Sequence, residues 1–218
     1  MTQERRSTVL KWLIILVTAA GISIHVQYGL NEYGGYIFWF FTVISNLFVL
    51  VFYTWKGFSQ SPMSYRIKGF IVEPIILTGI LNWFILVPIA IQANSVMLLF
   101  HPTNFFVHGL TPFLVFIDWF LYDPKHIYKK YDALRWCVFP ILYMIAVYIR
   151  AWIQHNHVFN GSDFPYPFLD RSIMGGVGNL ILVLGLIFIV YLGVGHIMVK
   201  FKGYRTDKWQ AAGQRIDG

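Results

Sequence analysis

The stretch IMGGVGNLILVLGLIFIVYLGVGHIMV, residues 173–199, decides the fold. It runs for 27 residues without an Asp, Glu, Lys or Arg. About 20 apolar residues suffice to cross the hydrocarbon core as a helix. In lipid each backbone N–H and C=O must find a partner within the protein, which a helix supplies from its own segment. Five more stretches read the same way: 9–30, 36–54, 67–91, 100–122 and 134–154. The expectation is an all-α polytopic membrane protein, with six transmembrane helices forming one domain over residues 1–218. Strands of a β-barrel would be shorter and would alternate in character.

Composition agrees. Of the 218 residues, 57% are hydrophobic and only 12% are charged, against about a quarter charged in soluble domains. The net charge of +7 would suggest nucleic acid in a soluble protein. Here the basic residues lie in short segments between apolar runs, so they read as an orientation signal and not as a nucleic-acid surface. Arg5, Arg6 and Lys11 flank the first span; Lys56, Arg66 and Lys68 lie between the second and third. Lys125, Lys129, Lys130 and Arg135 lie between the fourth and fifth; Lys200, Lys202, Arg205, Lys208 and Arg215 follow the sixth. That is 15 of the 17 Lys and Arg residues, all at one end. The positive-inside rule then puts both termini in the cytoplasm, and segments 31–35, 92–95 and 156–172 outside. Arg5-Arg6 before an apolar run resembles a signal peptide, but no clean cleavage site follows, and the run reads as a retained first span. The single cysteine, Cys137, excludes a disulfide framework within one chain.

Against this apolar background two polar patches stand out: Thr42-Val43-Ile44-Ser45-Asn46 and Asn104-Phe105-Phe106-Val107-His108. Polar groups inside spans face a protein interior and are functional candidates by default. A hydroxyl and an imidazole are also the two parts of a nucleophile–base pair. On a regular helix Thr42, Ser45 and Asn46 share one face, as do Asn104, His108 and Thr111, with Asp118 near the same stripe one level deeper. At 1.5 Å per residue, Thr42 is expected about 9 Å and His108 about 12 Å down from the outer side. The functional reading is a polar cavity in which His108 takes the proton of Thr42 and the asparagines orient the pair or donate to an oxyanion. The bland reading is hydrogen-bonded glue between helices.

The segment Asp163-Phe164-Pro165-Tyr166-Pro167-Phe168-Leu169-Asp170 reads as a rigid, extended, non-helical flap, because proline restricts its own backbone and that of the residue before it. Tyr166 and Asp170 are the candidates to reach inward; the alternative is an aromatic anchor at the interface. His155 and His157 are a weak metal signal without acidic or Cys partners in the adjacent sequence. Arg150 is expected to snorkel, the alternatives being a pair with Asp163 or Asp170 or an anionic head group, and Glu73 and Asp118 to serve as structural ties. There is no P-loop, no Gly-rich nucleotide fingerprint and no HExxH zinc motif, so neither a cofactor nor a metal is assigned.

Three blocks together resemble the androgen-induced and androgen-dependent integral membrane protein family and its bacterial six-span relatives. They are Phe40-Phe41-Thr42-Val43-Ile44-Ser45-Asn46, Asn104-Phe105-Phe106-Val107-His108 with Pro112 following, and Tyr166-Pro167-Phe168-Leu169-Asp170. Their order and span placement agree with the family. The proline comes four residues after the histidine, not five, and Ser45-Asn46 looks like the bacterial branch. The resemblance implies a transmembrane threonine hydrolase with Thr42 as nucleophile and His108 as base. Its substrates would be fatty acid esters of hydroxy fatty acids or similar long-chain esters, and its site a bacterial cytoplasmic membrane. Ser45, Asn46, Asn104, Thr111, Tyr166 and Asp170 are the expected supporting or substrate-binding residues. The competing function is a non-enzymatic lipid-binding or transport protein; a purely structural membrane protein is a third.

Overall fold

A computed structural model describes residues 2–59, 65–92, 101–159 and 161–204. Residues 93–95 of the expected outer segment, the expected start of the fourth span at residue 100, and Arg205, Lys208 and Arg215 lie outside them. Six helices are long and apolar enough to cross a membrane. They are α1 (Gln3–Tyr33), α2 (Phe41–Phe58), α3 (Tyr65–Leu81, continued through Asn82–Leu86 and Val87–Gln92), α4 (Pro102–Tyr122), α5 (Asp132–Gln154) and α6 (Val177–Lys202). Among the described residues the only β pairing is two isolated bridges.

Four helices close a ring: α1 packs on α2, α2 on α3, α3 on α4, and α4 back on α1. The first turns of α5 pack on α3 and α6, while α6 leans on α3 and on the turn Pro167–Leu169. Aromatic contacts Phe41–Phe139, Phe41–Tyr143 and Phe48–Phe139 seat α5 against α2. Small residues set the closest approaches, as expected where helices associate by packing in lipid. A Cβ on Gly21 of α1 would lie 2.7 Å from Phe106 Cβ of α4.

Apolar side chains cover the outside of the bundle as well as its core. Leu16, Val51, Ile149, Ile181 and Leu182 are exposed, whereas Thr18, Asn46, Lys68, Glu73 and Asp118 are buried. Continuous exposed apolar surface around buried polar groups is the signature of a chain solvated by lipid.

The ends of the helices depart from the sequence expectation for identifiable reasons. α1 starts at Gln3, capped by Thr2, because a helix can continue past the apolar core into the polar zone that hydropathy does not mark. α2 starts at Phe41 and not near residue 36, since Gly34–Trp39 forms a 3-10 segment. That segment folds back on α1, with Ile37 filling the space where Gly29 lacks a Cβ. α6 starts at Val177, after Gly175 and Gly176 with φ of +72° and +137°, conformations that only glycine adopts without strain.

At the end where α3 begins and α6 finishes, charges are paired. Lys68 contacts Asp118 Oδ2 at 2.5 Å and also Asp123, and Tyr53 donates to Asp118 Oδ2 at 2.8 Å. Arg66 holds Asp132 with two hydrogen bonds, 2.9 and 2.5 Å. Lys202 donates to the carbonyls of Phe120 and Asp123 at 3.1 and 2.7 Å. Asp118 is thus a structural tie at this basic end, not a continuation of the His108 stripe.

Candidate active site

Because α2 begins at Phe41, Thr42 sits in its first turn and not a turn and a half into a helix. N–H groups there have no intrahelical acceptor, and the helix dipole favours negative charge. The Thr42 amide donates to Tyr166 Oη at 3.3 Å, and Tyr166 Oη lies 3.3 Å from Thr42 Oγ1. Burial pushes the Tyr166 phenol above its ordinary range, against the opposing hydrogen bonds from Thr42, so it stays an O–H group at neutral pH.

The two following polar residues of the α2 stripe turn to neighbouring helices. Ser45 donates to the Thr42 carbonyl at 3.1 Å and lies 3.1 Å from Thr78 Oγ1 of α3. Asn46 Nδ2 donates to the carbonyls of Thr42 (2.8 Å) and Val107 (3.1 Å), tying α2 to the turn of α4 that carries His108. These residues position the Thr42 and His108 backbones and are not part of the cavity wall.

His108 owes its placement to Pro112. A proline has no N–H for the carbonyl four residues before it, and its ring crowds that carbonyl. The helix answers with a wider π turn over Phe105–Leu110, where the Thr111 amide reaches Phe106 O. Trp83 Nε1 of α3 donates to the freed His108 carbonyl at 3.2 Å. Trp83 itself lies in a second π turn, Asn82–Leu86, which precedes Pro88 in the same way. The wide turn breaks the expected stripe on α4. His108 faces inward, but Thr111 faces α1 and hydrogen-bonds Thr18 at 3.4 Å. Asn104 is half-buried outside the cavity lining. Neither Asn104 nor Thr111 lines the cavity.

Thr42 and His108 line one cavity of about 380 Å³. It lies between α2, α3, α4, α5, α6 and the loop before α6. Its polar wall is Thr42, Thr78, Asn82, His108, Tyr143 and Tyr166. The rest is apolar: Phe41, Leu77, Leu81, Pro140, Met144, Phe168, Leu169 and a face of α6 from Val183 to Tyr191. A handful of convergent polar groups in an otherwise apolar pocket is the usual form of a lipid or small-molecule site.

The loop that delivers Tyr166 is pinned from behind. Arg150 is buried and does not snorkel: its guanidinium donates to the Asp163 carbonyl, to Asn156 Oδ1 at 2.5 Å and to Gln154 Oε1 at 3.2 Å. Its charge lies over the rings of Tyr36 and Phe159, a cation–π contact. Asp163 accepts the His157 amide at 2.8 Å, with the His155 and His157 rings each 3.4 Å away. Burial alone would raise Asp163, but these partners together hold it below the ordinary carboxylate range. Asp170 does not reach inward. It accepts from Ser162 Oγ (2.5 Å), Ser172 N (2.8 Å) and Ser172 Oγ (2.6 Å), fixing the base of the loop. Pro167 opens a short 3-10 turn, Pro167–Leu169, where the expectation was extended chain throughout. Tyr166 stacks on Phe168 with centroids 5.0 Å apart.

Thr78, Asn82 and Tyr143 complete the polar wall without having been singled out from the sequence. Thr78 and Asn82 are spaced i, i+4, the same signal that marks Thr42 and Asn46, and it could have found them; Tyr143 is isolated among apolar neighbours. Tyr143 donates to the Trp39 carbonyl at 2.9 Å, closing the α2 entrance. Among the described residues, no group of three or more His, Cys, Asp or Glu is arranged to hold a metal ion. The chain matches no protein-family model, no curated protein and no solved structure.

Proposed function

We propose that the protein is an intramembrane hydrolase of long-chain esters, with Thr42 as nucleophile and His108 as general base. The observation that carries this reading is that Thr42 and His108, from different helices, both line one largely apolar cavity, with the Tyr166 phenol on the threonine hydroxyl. The resemblance of the three sequence blocks to the threonine hydrolase family points the same way.

The chemistry needs no cofactor. The ester lies with its chains along the apolar wall and its carbonyl at Thr42. His108 takes the hydroxyl proton as Oγ1 bonds to the carbonyl carbon. Charge that develops on the carbonyl oxygen is stabilised by the Tyr166 O–H and the field of the α2 N-terminus. His108 then gives its proton to the leaving alkoxide as the carbon–oxygen bond breaks. A water repeats the sequence on the acyl-threonine: its proton passes to His108, and the free acid and Thr42 are regenerated. Under the positive-inside reading the cavity opens in the outer half of a cytoplasmic membrane, with both termini inside.

The apolar lining also suits the second reading, a lipid-binding or transport protein whose polar wall receives a head group. Labelling purified protein with a fluorophosphonate probe, and assaying a long-chain p-nitrophenyl ester, separates the two. The hydrolase reading expects labelling and turnover in the wild type and neither in folded Thr42→Ala or His108→Ala. Folded wild type that binds lipid but neither labels nor turns over any ester favours the binding protein.

A further inference from the structure

The consecutive spans α2 and α3 run in opposite directions, and one contact fixes their register: Ser45 Oγ lies 3.1 Å from Thr78 Oγ1. Thr42 comes three residues before Ser45, and Asn82 four residues after Thr78. Because the helices are antiparallel, both steps lead toward the same end of the bundle. At 1.5 Å per residue they amount to about 4.5 and 6 Å. Asn82 therefore stands at the level of Thr42 on the neighbouring helix, and both residues line the cavity. The same stretch of α3 meets His108. The Thr78 backbone hydrogen-bonds the His108 ring, and Trp83 Nε1 donates to the His108 carbonyl at 3.2 Å.

The other polar groups of the cavity wall are engaged within the protein. Thr42 Oγ1 and Tyr166 Oη hold each other at 3.3 Å. Thr78 Oγ1 donates to the Pro74 carbonyl at 3.0 Å, Tyr143 donates to the Trp39 carbonyl, and His108 has the Thr78 backbone. Asn82 differs. It is only 3% exposed, yet its side-chain amide makes no hydrogen bond among the described residues. An asparagine that ties membrane helices together does so by bonding across to a neighbour, as Asn46 does from α2. A buried amide without such a partner costs free energy. Its two N–H donors and its carbonyl belong to the cavity wall. Asn82 also opens the π turn Asn82–Leu86, an irregularity that recurs at functional sites.

We infer that Asn82 is a further catalytic residue: its Nδ2–H donates to the carbonyl oxygen of the bound ester, as a second donor beside the Tyr166 phenol. The inference rests on the hydrolase reading of the same cavity. As Thr42 Oγ1 bonds to the carbonyl carbon, the C=O π pair moves onto oxygen, and the amide and the phenol share the new charge. Asn82 gives up no proton. Its N–H bonds stay intact while the oxyanion forms and while the carbonyl re-forms with departure of the alkoxide. A neutral amide meets charge as it develops without itself burying a charge in an apolar site. The bond is strongest to the oxyanion, so it acts on kcat more than on KM.

The test compares full-length wild type with Asn82→Leu, an apolar side chain of similar size, in micelles. Three readouts are taken: turnover of a long-chain p-nitrophenyl ester, thermal unfolding, and the infrared carbonyl band of a bound long-chain methyl ketone, which carries the carbonyl but cannot be hydrolysed. In wild type the ketone band is expected at lower frequency than in protein-free micelles. In Asn82→Leu it should move back toward the free position, and kcat should fall roughly 10²-fold, as for loss of one oxyanion donor, with KM little changed. The leucine variant should be as stable as wild type or more so, because the amide it replaces has no protein partner to lose.

A wild-type protein that leaves the ketone band at its free position overturns the inference without any variant. So does a folded Asn82→Leu whose band matches wild type, or one that turns over ester as fast. A leucine variant that melts well below wild type also overturns it, since that is the mark of a helix tie. A band shift that depends on Asn82, in a protein that neither labels nor turns over ester, would sink the hydrolase and leave Asn82 as the carbonyl-binding group of a lipid site.

Discussion

The two ends of the helix bundle bury polar side chains in opposite ways. At the basic end Lys68 lies between Asp118 and Asp123, Arg66 grips Asp132, and Lys202 caps carbonyls of the α4 terminus. These groups tie helices together and line no cavity. At the loop end Thr42, Thr78, Asn82, His108 and Tyr166 converge on one mostly apolar cavity. A buried polar group therefore has two uses here. One is to hold the fold; the other is to face the cavity.

The contrast predicts that substitutions at the basic end act on stability and those at the loop end on chemistry. The largest stability effect is expected from Lys68→Met, which leaves two buried carboxylates without their cation. Removing one member of such a group costs about 3–5 kcal/mol, read as a lower melting temperature or failure to purify folded protein. A Lys68→Met protein as stable as wild type would dissolve the distinction. Gly195→Ala comes next. The new Cβ would clash with Glu73 Oε1 and lie 3.1 Å from Ala133 Cβ, an overpacking expected to cost about 1–3 kcal/mol, checked by thermal unfolding in detergent.

Tyr166→Phe sharpens the other side. It keeps the ring stack on Phe168 and deletes the group on Thr42 Oγ1. Stability should change by about 1 kcal/mol or less, while kcat should drop about 10²-fold, as for loss of one oxyanion donor. A rate near wild type would remove the phenol from the chemistry. The smallest effect belongs to Asp163. Its folded value lies below the ordinary one, so its contribution is fully present above about pH 4. That contribution fades as pH falls through the lowered folded value. Melting curves of wild type and Asp163→Asn should differ at pH 7 and converge in strong acid; a gap that widens with acid contradicts the loop clamp.

The six helices were legible because crossing lipid leaves long, nearly chargeless runs that few other structures need. Their ends were less so. Hydropathy registers the apolar core and is blind to the capped, charged first turn of α1 and to the glycine turn before α6. The site was legible where chemistry sits in an unusual local pattern, as at Thr42, His108 and Tyr166. It was misread where a regular helix was assumed. Pro112 imposes a π turn, and that turn carries Thr111 toward Thr18 and leaves Asn104 outside the cavity lining. A stronger reading of that proline, four residues after a buried histidine, contains the clue. Asp170 was misjudged because a loop's polar residues can serve its own backbone, a use that no spacing rule separates from facing a cavity. Thr78 and Asn82 form an i, i+4 pair on α3 of the kind that marks α2, a signal that was there to be read.

The central claim is that Thr42 is the nucleophile, and mass spectrometry of the fluorophosphonate adduct tests it most directly. The account predicts the modification on the peptide carrying Thr42, at Thr42 itself, and its loss in folded His108→Ala. An adduct on any other residue, or equal labelling of Thr42→Ala, would contradict it.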